Sequence, residues 1–380
     1  MRIVFFSEAY EPQVNGVVTT LGKLVDYLSV CGHQVLLAVP RFNGNRRRTG
    51  VVEFRALPFP PYPEVPFMLP HWRFHRREFA EVEAFKPDLV HLMSPAVMAY
   101  FGQIWARRRG CPVVASYETD LIGYMDYYHV GMFKEPVWRY FRWLFNNCQR
   151  TYVPSLDTRR LLESNGICRV DVFDRGVDCV HFHPEKRSEQ LRKSLGVEPG
   201  GILLLYVGRL SKEKNLQLLL NWFLSSCSRL PNMHLVITGD GPLRGRLARD
   251  FSDPRITFNG WKKGEELATL FASADIFTLP SSTETLSLVS MEAMASGVPV
   301  VAMNAGGVRN VIEHERTGLL AGSAQEFQVF LHRLIENVGL RSQLGRSARG
   351  YAESKTWTHA FENLERSYQQ VLSEKDGARA

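Results

Sequence analysis

Two acids eight positions apart carry the strongest chemical signal in this chain. They close the stretch Glu284-Thr-Leu-Ser-Leu-Val-Ser-Met-Glu292, and Ala293-Met-Ala-Ser-Gly-Val-Pro-Val-Val301 follows directly. The run Ile276–Leu279 reads as a strand, a Ser/Thr loop comes next, and a helix is expected to begin near Leu286. A helix start at Leu286, Ser287 and Leu288 would offer free N–H groups and the positive end of a dipole, which suits a diphosphate. Carboxylates on either side accept pairs of sugar hydroxyls. If all eight steps are helical at ~1.5 Å each, the acids lie up to ~12 Å apart, about the span from a hexose to a ribose across a diphosphate. Singly, Glu284 also reads as a helix cap and Glu292 as a solvated helix residue; together they point to a nucleotide-sugar site.

A diphosphate beside two acids needs cations. Val207-Gly208-Arg209-Leu-Ser-Lys-Glu-Lys214 follows the apolar run Ile202–Val207. Arg209 can grip phosphate bidentately and Lys214 can act as a point charge; the plain alternative is an exposed basic turn. Gly239, in Thr238-Gly-Asp-Gly-Pro242, lets backbone approach a ligand at a strand exit. Asn15-Gly16-Val17, between the first strand and first helix, permits similar approach by a phosphate. No G-x-G-x-x-G is present, which argues against a dehydrogenase. No Asp-x-Asp stands at a strand end and no His/Asp cluster has ligand spacing, so a reaction without metal or cofactor is expected. His91 and His129 could line a site, although lone histidines are more often structural.

The elements that must position these residues alternate. Arg2–Phe6, Gln34–Val39, Leu89–Leu92, Val113–Ser116 and Thr151–Val153 read as strands, with helices such as Val17–Val30 and Trp138–Asn146 between them. The rhythm restarts with strands Ile202–Val207, His234–Thr238, Arg255–Phe258, Ile276–Leu279 and Val298–Ala302. Helices Leu216–Ser225, Gly264–Phe271, Leu286–Ala295 and Phe327–Asn337 separate them, and Trp357–Leu372 is a last helix. Apolar strands alternating with helices imply an α/β fold: two doubly wound parallel-sheet domains with a cleft between them. The expected division is 1–175, 176–355, and a helix in 356–380 packing back on the first domain.

The 380 residues are 45% hydrophobic and 22% charged, with a formal net charge of +7. This suits a soluble enzyme, and the mild positive bias suits an anionic donor or membrane surface. No zinc-finger or RRM-type motif suggests nucleic acid as a partner. Met1–Phe6 reads as a strand rather than a leader, and no apolar run approaches a membrane span. The six cysteines lack Cys-x-x-Cys spacing and read as small core residues in a reducing cytoplasm.

Together these residues resemble the retaining GT-B glycosyltransferases of family GT4, over nearly the whole chain. Glu284 to Glu292 matches the family's E-x7-E, and Arg209 with Lys214 its diphosphate-binding pair. Gly239-Asp-Gly-Pro242, Asn15-Gly16-Val17 and Ala305-Gly-Gly307 match its loops, and Gly176-Val-Asp178 with Phe182-His-Pro184 its interdomain junction. Glu8-Ala-Tyr-Glu-Pro-Gln-Val-Asn-Gly16, Phe85-Lys-Pro-Asp-Leu-Val-His-Leu-Met-Ser-Pro95, Ser116-Tyr-Glu-Thr-Asp120 and the Pro-rich stretch Pro58–Pro70 look like the subgroup of sulfoquinovosyl-diacylglycerol synthases and GDP-mannose-dependent α-mannosyltransferases. The resemblance implies an N-terminal acceptor domain and a C-terminal donor domain. It implies that Glu292 holds the ribose and Glu284 the donor sugar, with Trp261 near the base or in the core. It also implies transfer of a hexose from a UDP- or GDP-linked donor with retained configuration. Glu118 replaces the His of many relatives, and a glutamate there repels a diphosphate unless protonated or turned away. Glu118 or Asp120 would orient the acceptor hydroxyl. Ser287 stands where most relatives have Gly.

The acceptor is expected to be a membrane glycolipid or diacylglycerol, with a soluble or polysaccharide acceptor as the alternative. Phe67-Met-Leu-Pro-His-Trp-Arg-Phe-His-Arg-Arg77 interleaves aromatics and cations, and Phe67, Trp72, Arg73, Arg76 and Arg77 would meet acceptor or membrane. Arg46–Arg48 and Arg107–Arg109 add charge that is equally read as solvated surface. The expected location is cytoplasmic, peripheral on the inner face of the cell membrane. A silent nucleotide-sugar binder and a nucleotide-sugar epimerase are the competing classes.

Overall fold

The computed structural model describes residues 1–377 except 14, 42–48, 60, 61, 70, 128–130 and 231. The chain divides into two compact units. One comprises Met1–Ile122, Val130–Asp174 and Thr358–Ala380; the other comprises Gly123–His129 and Arg175–Trp357.

Up to Asp174 the elements are β1 (Arg2–Phe6), α1 (Gly16–Val30), β2 (Gln34–Pro40), β3 (Val51–Phe54), β4 (Ala56–Phe59), β5 (Tyr62–Met68), α2 (Arg76–Phe85), β6 (Leu89–Leu92), α3 (Val97–Arg109), β7 (Val113–Ser116), α4 (Leu121–Tyr127), α5 (Lys134–Asn146), β8 (Arg150–Val153), α6 (Leu156–Ser164) and β9 (Val170–Val172). Seven strands form a sheet in the order β3-β2-β1-β6-β7-β8-β9. Every pairing in it is parallel. Ile3 to Phe6 have no exposed surface, as expected of a strand covered on both faces.

The second unit contains α7 (Glu189–Ser194), β10 (Ile202–Val207), α8 (Leu216–Ser226), β11 (Met233–Thr238), α9 (Arg244–Asp250), β12 (Ile256–Gly260), α10 (Gly264–Ser273), β13 (Ile276–Leu279), α11 (Leu288–Ala295), β14 (Val300–Met303), β15 (Gly318–Ala321), α12 (Ala324–Glu336) and α13 (Val338–Glu353). Its parallel sheet has the order β12-β11-β10-β13-β14-β15. The last helix, α14 (Trp357–Gly377), then packs in the first unit from Thr358 onward. There Glu365 accepts from Tyr27 Oη and pairs with His33 Nε2, both at 2.9 Å, and Glu374 meets Arg150 at 3.2 Å.

Several elements depart from the sequence reading. At the Pro-rich stretch, to which the sequence reading assigns no element, β4 and β5 pair as an antiparallel two-stranded ribbon. Both strands of such a ribbon are edges, where a proline's missing N–H is tolerated. The short edge strands β3, β9 and β15 carried no readable pattern. Helix α13 contains Gly339, Gly345 and Gly350 and has low intrinsic propensity; it forms by burying Leu344, Ala348 and Ala352. The cysteines are not uniformly core: Cys148 and Cys227 are buried, but Cys31 and Cys168 are exposed.

One buried acid organises the head of the first sheet. Glu8, just past β1, is 6% exposed. Its carboxylate accepts from the Met98 N–H and from Ser94 Oγ, the latter at 2.7 Å. Ala96, at the N-cap of α3, has no side chain to offer, so Glu8 supplies the cap from a distant part of the chain. Burial nevertheless outweighs these bonds and raises its pKa from 4.5 to about 7. The folded state therefore holds this proton more tightly than the unfolded state, and the associated stability is lost as pH rises from 4.5 through 7. Wild-type stability minus that of Glu8→Gln should fall over this window by up to ~3 kcal/mol. Urea unfolding at each pH measures it, and a flat difference rejects the assignment.

Candidate active site

In the second unit the chain runs from β10 outward to β11 and β12, then returns to the other side of β10 at β13. The strand order thus reverses between β10 and β13, and the carboxyl ends of strands at such a switch point are where ligands of open α/β sheets bind. The two main sequence signals leave these two strands. They meet there: Lys214 Nζ donates to Glu284 Oε1 at 2.6 Å, with each side chain 14% exposed. Arg209 lies half-buried in the same β10 loop, where its carbonyl accepts from Tyr206 Oη at 3.0 Å. Glu213, beside Lys214, is buried and accepts from Ser211 Oγ; the sequence reading gave it no role.

The glycine turns act on backbone. A Cβ at Gly239 would sit 1.9 Å from the Gly208 carbonyl oxygen, and the Gly239 N–H donates to Gly260 O at 2.8 Å. The close approach read from Gly239 is thus between loops, locking the exits of β10, β11 and β12 together. A Cβ at Gly307 would sit 1.7 Å from Thr285 O. The Gly307 N–H donates to the Glu284 carbonyl at 2.6 Å, so the loop after β14 holds the backbone that carries this acid.

Helix α11 begins at Leu288, not Leu286. Residues 284–287 are irregular, so only the four steps from Leu288 to Glu292 are helical, a rise of ~6 Å rather than ~12 Å. Leu286 buries its side chain in the core of the second unit, which leaves its backbone for any ligand. Ser287 caps the helix in the left-handed region, φ 87°, and its Oγ lies 2.8 Å from Ser290 Oγ. Only glycine adopts this conformation freely. At the far end of α11, Arg349 donates to Ala295 O, to Phe182 O at 2.8 Å and to Cys179 O at 3.1 Å. A cation there complements the helix dipole. Glu292 is half-buried, and Trp261 is 39% exposed after β12, which settles it as surface rather than core.

The remaining residues fall in the first unit. Gly16 opens α1, where Asn15 Oδ1 accepts from the Val18 N–H at 3.0 Å. Glu118 and Asp120 follow β7, and Tyr117 Oη donates to Asp120 Oδ1 at 3.3 Å. His91 lines no surface: it is buried in β6, with its nitrogens 2.6 Å from Tyr368 Oη and 2.8 Å from Ser116 Oγ. Trp72 packs on Phe79 and Phe101 with the Arg108 guanidinium over its ring. Arg73, Arg76 and Arg77 instead line a groove of about 400 Å³ with Arg41, Arg55 and the exposed Phe74, together with Glu53, Glu78 and Glu81; Glu53 pairs with Arg41 and Glu81 with Arg77. Phe67 lies in β5; Arg46–Arg48 and His129 lie outside the described residues. Among the described residues no three His, Cys, Asp or Glu gather as metal ligands, and no helix is long and apolar enough to cross a membrane.

The family described as Glycosyltransferase Family 4 matches residues 14–181, and that described as Glycosyl transferases group 1 matches residues 201–337. The chain is similar to a GDP-mannose-dependent alpha-mannosyltransferase of Mycobacterium tuberculosis, at 35% identity over 98% of this chain and 97% of that one. It is similar to the sulfoquinovosyl transferase SQD2 of Arabidopsis thaliana, at 33% identity over 94% and 71%. Its fold matches sucrose-phosphate synthase from Thermosynechococcus elongatus, with TM-score 0.79, 19% identity and coverage of 98% and 99%. It also matches Anabaena HepE in complex with UDP-glucose, with TM-score 0.78, 20% identity and coverage of 97% and 100%.

The left-handed cap yields a stability comparison. Ser287→Ala keeps a Cβ in the disfavoured region and loses the Ser290 contact, whereas Ser287→Gly removes the steric conflict. The glycine variant should be the more stable of the two by about 1 kcal/mol in thermal unfolding. Equal stabilities reject a strained cap.

Proposed function

We infer the activity from one premise: this chain belongs to glycosyltransferase family 4 and has the GT-B fold of two Rossmann-like domains. It is a hexosyltransferase that moves sugar from a nucleotide-diphosphate donor to an acceptor. In our reading the second unit binds the donor and the first the acceptor, and GDP-mannose is the leading donor, because three GDP-mannose-dependent relatives align over 98–99% of this chain. The meeting of Lys214 with Glu284 at the sheet's switch point supports this reading most directly.

The mechanism assigns each group a role. Lys214 and Arg209 take the diphosphate charge, with the N–H groups of Leu288 and its neighbours at the α11 start adding fixed dipoles. Glu284, released from Lys214 by the incoming phosphate, accepts hydroxyls of the donor sugar, and Glu292 those of the ribose. Gly16 leaves room for the phosphates, and Trp261 lies against the base. The bond from the anomeric carbon to the phosphate oxygen breaks as the acceptor oxygen bonds on the same face. The departing oxygen takes the acceptor proton, so configuration is retained. Glu118 or Asp120 orients the acceptor hydroxyl.

The acceptor in this reading is lipid-linked. The relatives include an alpha-monoglucosyldiacylglycerol synthase of Streptococcus pneumoniae, 29% identical over 84% of this chain. The groove has five arginines to three glutamates beside the exposed Phe74, a net positive surface that suits anionic headgroups, with each uncompensated cation contributing ~1 kcal/mol there.

Transfer from GDP-mannose and from UDP-hexoses to a bilayer extract, with the product's anomeric configuration read by NMR, tests the activity. Glu284→Gln should lower kcat/KM by roughly 100-fold or more. Equal, near-zero turnover in wild type and variant would make the chain a silent nucleotide-sugar binder. Conversion of donor without acceptor would make it an epimerase. Replacing Arg73, Arg76 and Arg77 by serine should weaken sedimentation with anionic vesicles by tenfold or more, and unchanged sedimentation removes these residues from the membrane contact.

A further inference from the structure

The core of the first unit holds a polar chain that apolar packing does not require. His91 in β6, Ser116 at the end of β7 and Tyr368 in α14 have no exposed surface. His91 Nδ1 is 2.6 Å from Tyr368 Oη, and His91 Nε2 is 2.8 Å from Ser116 Oγ. A neutral imidazole donates from one nitrogen and accepts at the other, so the two hydroxyls must take opposite roles. Such a chain admits few arrangements and polarises along its length. The neighbouring residue of α14 makes a second contact: Ser367 Oγ lies 2.7 Å from Tyr152 Oη in β8. Tyr152 in turn accepts the Tyr117 N–H at its carbonyl, at 2.9 Å. The residue that begins Tyr117-Glu118-Thr119-Asp120 is therefore anchored to α14 from both sides, through Ser116 and through Tyr152.

We propose that Tyr368 and His91 are positioning residues, through which α14 fixes the segment carrying Glu118 and Asp120 for transfer. The inference rests on the reading above that one of these acids orients the acceptor. Apolar groups of matching shape would fill the same space at little or no loss of stability. What the hydroxyl–imidazole–hydroxyl chain adds is a fixed direction at Ser116, one residue before the segment in question.

The test compares Tyr368→Phe, which removes one hydroxyl, with Ser116→Ala, which removes the other end of the chain. Both are assayed on the full chain well below their melting temperatures, with GDP-mannose as donor and a bilayer extract as acceptor. Each should lower kcat roughly tenfold while leaving donor KM within about twofold, since Lys214 and Glu284 lie in the other unit. Tyr368→Phe should add less than twofold in an Asp120→Asn or a Glu118→Gln background, whichever acid proves to matter, because the same step is already impaired. Unchanged kcat in the folded single variants overturns the proposal. So do multiplicative effects in the double variants, or both single variants failing to fold, which would make the chain a stability element only. If wild type transfers no sugar at all, it is the underlying reading that fails, and this outcome is distinct from a wild type that transfers and a Tyr368→Phe that matches it.

Discussion

An ammonium and a carboxylate shielded from water must neutralise one another or draw in a third charge. Lys214 and Glu284 do the former, and the organisation of the second unit follows from keeping that pair in place. The loop after β14 holds the Glu284 backbone through Gly307, and buried Glu213 fixes the turn that ends at Lys214. Arg349 closes the far end of α11. In the proposed reading, an entering pyrophosphate exchanges one partner of the lysine for another and frees the acid for sugar. In that reading Arg209 and the N–H groups at the α11 start share the negative charge that the pyrophosphate adds.

The first unit uses buried polarity differently. Glu8 caps α3, and His91 links two strands to α14. Each restricts where a loop at the head of the sheet can lie: Glu8 the start of the segment leading to Asn15 and Gly16, His91 the segment leading to Asp120. Specificity of backbone placement is the advantage such groups hold over methyl and phenyl.

Much of this was legible in the chain. Runs such as Ile202–Val207 and Ile276–Leu279 announce buried parallel strands because burial on both faces leaves no polar alternation to confuse them. The Lys214 and Glu284 signals were readable because each follows such a strand. The pairing between them was not, since strand order is a long-range property. Glu8 and Tyr368 escaped for the same reason: their partners, Met98 and His91, are remote in sequence. The ribbon β4–β5 was hidden by prolines, which argue against central strands but say little about isolated edges. The start of α11 was misplaced because a left-handed serine interrupts a stretch whose composition reads as helical from Leu286.

The return of α14 to the first unit shapes how the chain emerges during synthesis. Residues 358–377 supply Ser367 and Tyr368 to a sheet whose strands are complete by Val172, and Glu365 to Tyr27 of α1 and to His33. Arg175–Trp357 of the second unit is translated in between, on the order of 10–40 s at 5–20 residues per second. Throughout that interval the sheet leaves the ribosome with His91, Tyr27 and Tyr152 lacking the side chains that later cover them. All strands of the second sheet lie between Ile202 and Ala321, so the sheet begun first is the one finished last.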